Sequence, residues 1–368
     1  MKDGVFMELL DYIKWRGDLS FDERELNEVD SLIFCALSYE TFDDLFMLKK
    51  SVTIQEAGKI FFSLYDEEEL KRRVTFSNRS YEFLKAMMNT KRYSSLILSD
   101  YVNEIDHEID LQFSAMTIEY PNKWKYIVFR GTDDTITGWK EDFTLIYKDE
   151  MLSHKKAIKY IKRVTSEKGL FNRMFSKYDY YIGGHSKGGN LAFYASAHVD
   201  VNVLKKIKRI DNFDGPGFSA QFWEKNCHQD LLSKMKTYIP TASFFGRLFE
   251  HKEEVIVVSS KQNGLLQHSP YNWLVNVDHF VYDVVSENSN KVINKFNGLL
   301  EDIDKKEREE LVESLFTIFD KLEIYTFNDF TKISFNSVLV VLKELSELDS
   351  KTKKVLLDLL GLVWDIFQ

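Results

Sequence analysis

Tyr178-Asp179-Tyr180-Tyr181-Ile182-Gly183-Gly184-His185-Ser186-Lys187-Gly188-Gly189-Asn190 decides how the rest of the chain is read. Tyr178 to Ile182 is apolar and β-rich, and the small residues from about Lys187 to His198 suit a helix. Between them lies Gly184-His185-Ser186-Lys187-Gly188, a G-x-S-x-G pentapeptide. A serine on so tight a strand-to-helix turn has a strained backbone, and glycines at the flanking positions let the chain fold back closely. The turn lifts the Ser186 hydroxyl to the carboxyl end of the sheet. It also points the unpaired N–H groups of the helix N-terminus at a developing oxyanion. The competing reading is a chance match in a glycine-rich turn. A phosphate-binding loop is excluded, because its Gly-Lys-Ser/Thr ending is missing.

Strands and helices alternate on both sides of this turn. Upstream, Leu96-Ile97-Leu98 is a short apolar run, Leu111 to Tyr120 alternates like a strand, and Trp124 to Phe129 is closed by Arg130-Gly131-Thr132. Met151 to Lys168 is a basic amphipathic helix with Ala157, Ile158, Ile161 and Val164 on one side. Downstream, Ile207 to Phe213, Lys236 to Ile239 and Val255 to Ser259 are further strands. The pattern predicts an α/β protein, a mainly parallel sheet with helices on both faces. With the serine turn at its centre, this is the α/β-hydrolase fold.

The ends of the chain differ from the middle. Ser20-Phe21-Asp22-Glu23 fits a capping box, and Leu26, Val29, Leu32, Ile33 and Ala36 follow at helical spacing. Beyond about Asn288 strands cease, and Val292 to Leu300, Glu307 to Leu322 and Ser337 to Phe367 read as helices. The expected organisation is a helical N-terminal extension over 1–90, a hydrolase core over 91–288 and a helical C-terminal subdomain over 289–368.

Composition narrows the function. The 368 residues are 44% hydrophobic and 29% charged, with 29 Phe and 18 Tyr to build a core. A net charge of −9 offers no basic field for phosphates, so nucleic acid is not an expected partner. Two cysteines, Cys35 and Cys227, make neither a disulfide framework nor a thiolate metal site. The first residues carry an acid at Asp3 and lack the apolar core of a signal peptide. No uncharged apolar run approaches the ~20 residues of a membrane span, so the expected location is cytoplasmic. Asp358 and Asp365 interrupt the apolar Lys354 to Phe367 segment, which favours docking on the body, although peripheral membrane contact stays open.

Two segments carry a resemblance. Phe129-Arg130-Gly131-Thr132 with Trp139 and Asp142, followed by Gly184 to Gly189, resembles the class 3 (fungal triacylglycerol-type) lipases. Gly183 to Ala192 and Asp214-Gly215-Pro216-Gly217-Phe218 are more closely similar to an uncharacterised bacterial family related to those lipases. The resemblance spans about Leu96 to Val277. It implies that Thr132 is an oxyanion residue, donating its backbone N–H with its hydroxyl in reserve, and that Lys187 donates the second backbone N–H. The related lipases usually carry Leu at the position of Lys187. The lysine is expected either to meet an anionic substrate group or to reach solvent.

Among the eight histidines, His268 in Gln267-His268-Ser269-Pro270-Tyr271-Asn272-Trp273 follows the last strand, where this fold keeps its base. It also resembles the lipase histidine segment. His251 is the runner-up, His279 comes late, and His185 should point away from the serine hydroxyl. The acid of class 3 lipases belongs in Pro240 to Gly246, which contains no carboxylate and places Ser243 at the expected position. Asp214, at the end of the Ile207 to Phe213 strand, is the candidate instead, against the reading that it only shapes the following turn. Glu250, Glu253, Glu254 and Asp278 are the alternative acids.

The expected chemistry is cofactor-free acyl transfer from a small-molecule or lipid ester to water through Ser186, His268 and Asp214. Acyltransferase and thioesterase chemistry use the same parts. A binding or regulatory protein on a hydrolase scaffold is the rival from another class. Oligomeric state is not legible in the sequence.

Overall fold

The computed structural model describes residues 6–72, 79–106, 108–132, 136–166, 178–301, 303–323 and 353–358. The N-terminal region contributes α1 (Leu9–Arg16), α2 (Glu28–Leu37), α3 (Asp43–Leu48), β1 (Ser51–Thr53), α4 (Ile54–Leu64), α5 (Glu67–Arg72) and α6 (Ser80–Met87). Then follow β2 (Ile97–Asp106), β3 (Leu111–Tyr120), β4 (Trp124–Phe129), α7 (Ile136–Thr144) and α8 (Leu152–Thr165). The central turn joins β5 (Asp179–His185) to α9 (Lys187–Ala197). After it come α10 (Val201–Lys206), β6 (Ile207–Phe213), α11 (Ala220–Asn226), α12 (Gln229–Leu232), β7 (Met235–Pro240) and β8 (Glu254–Val258). Two helices, α13 (Glu287–Glu301) and α14 (Lys305–Lys321), follow. Of the helix expected over Ser337 to Phe367, residues 353–358 are described and helical, and the remainder lies outside the described residues.

Eight strands form the main sheet and lie side by side in chain order, β1 through β8. Pairing is antiparallel from β1 to β4 and parallel from β4 to β8. The crossovers from β4 to β7 carry α-helices, and the one from β7 to β8 carries only a 3-10 turn at Phe245–Arg247. This is the α/β-hydrolase fold. The short β1, pairing Ser51 to Thr53 with Ile97 to Ser99, lies inside a stretch whose sequence reads as helical.

Strand periodicity assigns the two faces. Tyr126 and Val128 of β4 enter one core with Met116 and Ile118 of β3, together with residues of α1, α2, α4 and α6. Ile127 and Phe129 enter the opposite core with Ile182, with Ala157 and Ile161 of α8 and with Leu191 to Ala195 of α9. Alternate side chains of one strand therefore feed both layers, and β4 is buried on each.

Two devices fix the first layer. Asn27 caps α2, its side chain accepting from the backbone N–H groups of Val29 and Asp30 at 3.0 Å each. Asp30 then pairs with Arg92 at 2.5 Å, both side chains being fully buried. Arg92 also donates to the carbonyls of Leu19, Ser20, Arg24 and Glu25, so one guanidinium ties the start of α2 to the loop before it. The C-terminal helices build a third, smaller core: Phe296, Leu311, Leu315 and Phe316 pack with Ile146 and Tyr147 beyond α7.

Candidate active site

The turn at Ser186 has φ 57° and ψ −133°, a region that costs a non-glycine residue of the order of 1–3 kcal/mol. Its closeness explains the glycines. A Cβ on Gly184 would meet the Gly188 carbonyl carbon at 2.1 Å, and one on Gly188 would meet the Phe129 carbonyl oxygen at 2.1 Å. The Ser186 N–H donates to the Phe213 carbonyl at 2.8 Å, which ties the turn to the end of β6. Residues Lys187 to Ser196 of α9 are all buried, so the helix is held on every side.

Asp214 leaves β6 with φ 53°, its N–H donating to Tyr238 of β7 at 2.8 Å. Its Oδ2 lies 2.6 Å from His268 Nδ1. Its Oδ1 accepts from the Gly246 N–H at 3.2 Å and from the Ser243 hydroxyl. Three donors thus hold a carboxylate that is itself fully buried. Asn212 shapes the bend beneath it, exchanging hydrogen bonds with the backbone of Gly215 at 2.9 Å each way.

His268 ends a short 3-10 turn over Gly264–His268 and is 7% exposed. Its carbonyl lies 2.7 Å from His185 Nε2, and His185 Nδ1 lies 2.7 Å from the Tyr39 hydroxyl. The partners assign His185 a proton on Nε2, donated to the His268 carbonyl, with Nδ1 accepting from Tyr39. Burial first, and then the nearby His268, push the His185 imidazolium well below the ordinary range, so the ring stays neutral. His185 therefore turns away from the serine turn and braces the backbone of His268. The ring of Phe245 lies 4.5 Å from that of His268, centroid to centroid.

His251, His154 and His279 have other engagements. His251 pairs with Glu253 at 2.6 Å. His154 is buried against Asn190 at 2.7 Å, and desolvation lowers its pKa to about 4. His279 is partly exposed beside Asp278. His107 lies outside the described residues.

Thr132 follows β4, and its hydroxyl donates to Asp142 Oδ2 at 2.5 Å. Asp142 is half-buried on α7, and desolvation lifts its pKa to about 6, against the opposing pull of Lys187 and the Thr132 hydrogen bond. Its Oδ1 has no hydrogen-bond partner among the described residues. The Lys187 side chain is 1% exposed, so it does not reach solvent, and it meets a carboxylate of the protein itself. Its Nζ donates to Glu141 at 2.7 Å and to the Gln112 carbonyl at 3.0 Å. The reason is electrostatic: α9 is enclosed on all sides, so a cation in its first turn needs a buried anion, and α7 supplies one. The sequence signal for Glu141 was the adjacent carboxylate pair Glu141-Asp142 beyond Thr132. Tyr39 and His185 carried none, since their contacts depend on the N-terminal helices folding beneath the sheet.

The structure thus joins Asp214 directly to His268 and sets Ser186 in a slot with Asp142, Lys187 and Phe245. Phe143, Ile146, Phe244, Leu248, Phe249 and Phe296 make most of the other walls, and the free space is about 30 Å³. That is room for roughly one or two water molecules.

Comparison with curated proteins gives no significant match. Among solved structures, the Rhizomucor miehei lipase propeptide complex is 16% identical, over 53% of this chain and 64% of that one, with a TM-score of 0.32. The chain therefore spans somewhat less than two thirds of the length of that lipase. A fungal lipase–inhibitor complex is 16% identical over 66% of this chain and 91% of that one, with a TM-score of 0.36. A mutant form of MDLA from Penicillium cyclopium is 11% identical over 69% and 83%, with a TM-score of 0.38. The sequence profile of the Mbeg1-like family matches residues 87–317, from the end of α6 through most of α14. That span takes in the sheet from β2 onward, the serine turn, Asp214, His268 and Phe296, and with well over half of its length matched the chain belongs to the Mbeg1-like family.

Proposed function

We propose that the protein is a serine hydrolase that cleaves carboxylic esters through an acyl-enzyme on Ser186. The observation that carries this reading is the Asp214–His268 hydrogen bond of 2.6 Å at the mouth of a strained, glycine-flanked serine turn. Asp214 favours the His268 tautomer with its proton on Nδ1, which leaves Nε2 free to act as a base. In the first step Nε2 takes the Ser186 proton as Oγ attacks the ester carbonyl. The backbone N–H groups of Thr132 and Lys187 are the assigned oxyanion donors. Collapse of the tetrahedral intermediate breaks the ester C–O bond, and His268 gives its proton to the leaving alcohol. Water then attacks the acyl-enzyme, His268 accepts a proton from it, and the acid departs as Ser186 recovers its own.

The Thr132–Asp142 hydrogen bond supports the oxyanion assignment, since it fixes the loop that carries the Thr132 N–H. The apolar slot beside Ser186 suits the acyl half of an ester better than a charged group. Among the described residues no helix is long and apolar enough to cross a membrane.

The test is labelling with a fluorophosphonate, whose fluoride is displaced by an activated serine oxygen. Labelling should fall on Ser186 and vanish in Ser186→Ala, which should also lose ester turnover by several orders of magnitude. An inert Ser186 in the intact protein, or a variant keeping more than about a tenth of its activity, overturns the proposal.

A further inference from the structure

The C-terminal helices do more than cover the fold. α13 reaches the Ser186 slot with Phe296, which is 3% exposed and packs edge-on against Phe244 at a centroid distance of 5.3 Å. The start of α13 is pinned to the segment that supports Asp214. The Ser286 N–H donates to the Thr241 carbonyl at 2.8 Å. The Ser289 hydroxyl donates to the Ser243 carbonyl at 2.6 Å and accepts from Arg247 at 3.1 Å. α14 packs on α7, with Phe316 against Phe143 at 5.7 Å and Glu313 bridged to Lys140 at 3.3 Å, and shares one apolar cluster with Phe296 of α13.

These contacts make α13 a fixed wall and not a loose flap. Phe296 stands two turns beyond its pinned end, where it closes the slot whose free space is about 30 Å³. We propose that Phe296 is the residue that limits the length of the apolar group accepted beside Ser186, so that the protein takes short acyl chains and excludes long ones. This rests on the ester-hydrolase reading for the identity of the ligand as an acyl group. The physical ground is close packing: a filled apolar slot has no room for further methylenes unless a wall residue is cut back.

The test compares ethyl p-nitrophenyl methylphosphonate with its octylphosphonate analogue, each of which forms a bond to Ser186 Oγ and releases p-nitrophenolate. The intact protein should react at least about tenfold faster with the methyl compound. Phe296→Ala should shift that ratio toward the octyl compound by at least about tenfold, and Phe296→Trp should shift it the other way. Phe296→Leu gives a smaller shift in the same direction as alanine if the alanine variant fails to fold. Equal ratios in the intact protein and in folded variants overturn the proposal, as does an intact protein that prefers octyl. Calorimetric titration with octanoate separates the two readings. If Ser186 is inert to both phosphonates, the hydrolase reading falls. The role of Phe296 then stands if Phe296→Ala binds octanoate at least about tenfold more tightly, and falls if it does not.

Discussion

The Ser243 hydroxyl donates to Oδ1 of Asp214, while the other oxygen of that carboxylate meets His268. A serine at the position where class 3 lipases are expected to carry their acid is thus a neighbour of a carboxylate supplied by the preceding strand. The two positions converge on one point because β6 and β7 are adjacent and parallel, so their carboxyl ends open into the same space.

This geometry predicts unequal effects. Asp214→Asn should lower kcat at least about a hundredfold, since the equivalent change in a serine protease costs about 10⁴. Ser243→Ala should cost only a few-fold, because Gly246 still donates to Oδ1. The amide variants of Glu250, Glu253, Glu254 and Asp278 should stay within a few-fold of the parent on one small ester. A collapse in any of those four with Asp214→Asn unaffected would reassign the acid.

Asp142 should make stability depend on pH. Its native pKa is raised to about 6 from an ordinary 3.8, so the folded state binds this proton more tightly than the unfolded chain. Above about pH 6 both states are ionised and the native state bears the burial cost, of the order of 3 kcal/mol. Below 3.8 both are protonated and that cost is gone. Asp142→Asn should therefore raise Tm relative to the parent at pH 8, with the gain shrinking toward pH 4. Thermal melts at the two pH values check this, and an equal gain at both would refute it.

Lys187 and Glu141 should behave as a coupled pair. Lys187→Leu alone leaves a buried carboxylate without its cation and should cost about 3–5 kcal/mol. Adding Glu141→Leu should recover most of that loss, because two apolar groups need no partners. Denaturant unfolding of the four proteins of the cycle measures the coupling. Additive losses would show that the two side chains act independently.

Arg92 should be among the most sensitive positions outside the slot. Arg92→Met removes the only cation contacting the buried Asp30 among the hydrogen bonds of the described residues, together with four donations to loop carbonyls. The expected loss is about 3–5 kcal/mol, read from the urea midpoint, with Asp30→Asn falling in the same range.

What the sequence disclosed followed the range of the interactions involved. The strand, glycine turn and helix around Ser186 were legible because each clash that demands a glycine arises within a few residues or on the neighbouring strand. The alternation of Tyr126 and Val128 against Ile127 and Phe129 is likewise local. β1 was hidden because three residues carry too little periodicity, and it exists only through its pairing with β2. The burial of Lys187 was not legible either. Its partner Glu141 lies 46 residues away on a separate helix, and nothing near Lys187 in the chain announces an anion. Proximity of Asp214 to Ser243 and His268 follows from strand order, which no single segment encodes.

That strand order has a consequence for how the molecule is made. Since β1 through β8 lie in the sheet as they lie in the chain, each strand after the first finds its neighbour already synthesised. No strand must be inserted between two others, and each closure spans only one connection. The sheet is therefore able to grow outward during translation, with the carboxyl-terminal helices arriving last to seal the slot. A ribosome-bound chain that has emerged through Val258 should already protect the amides of β3 to β6 against hydrogen exchange, before Phe296 has emerged.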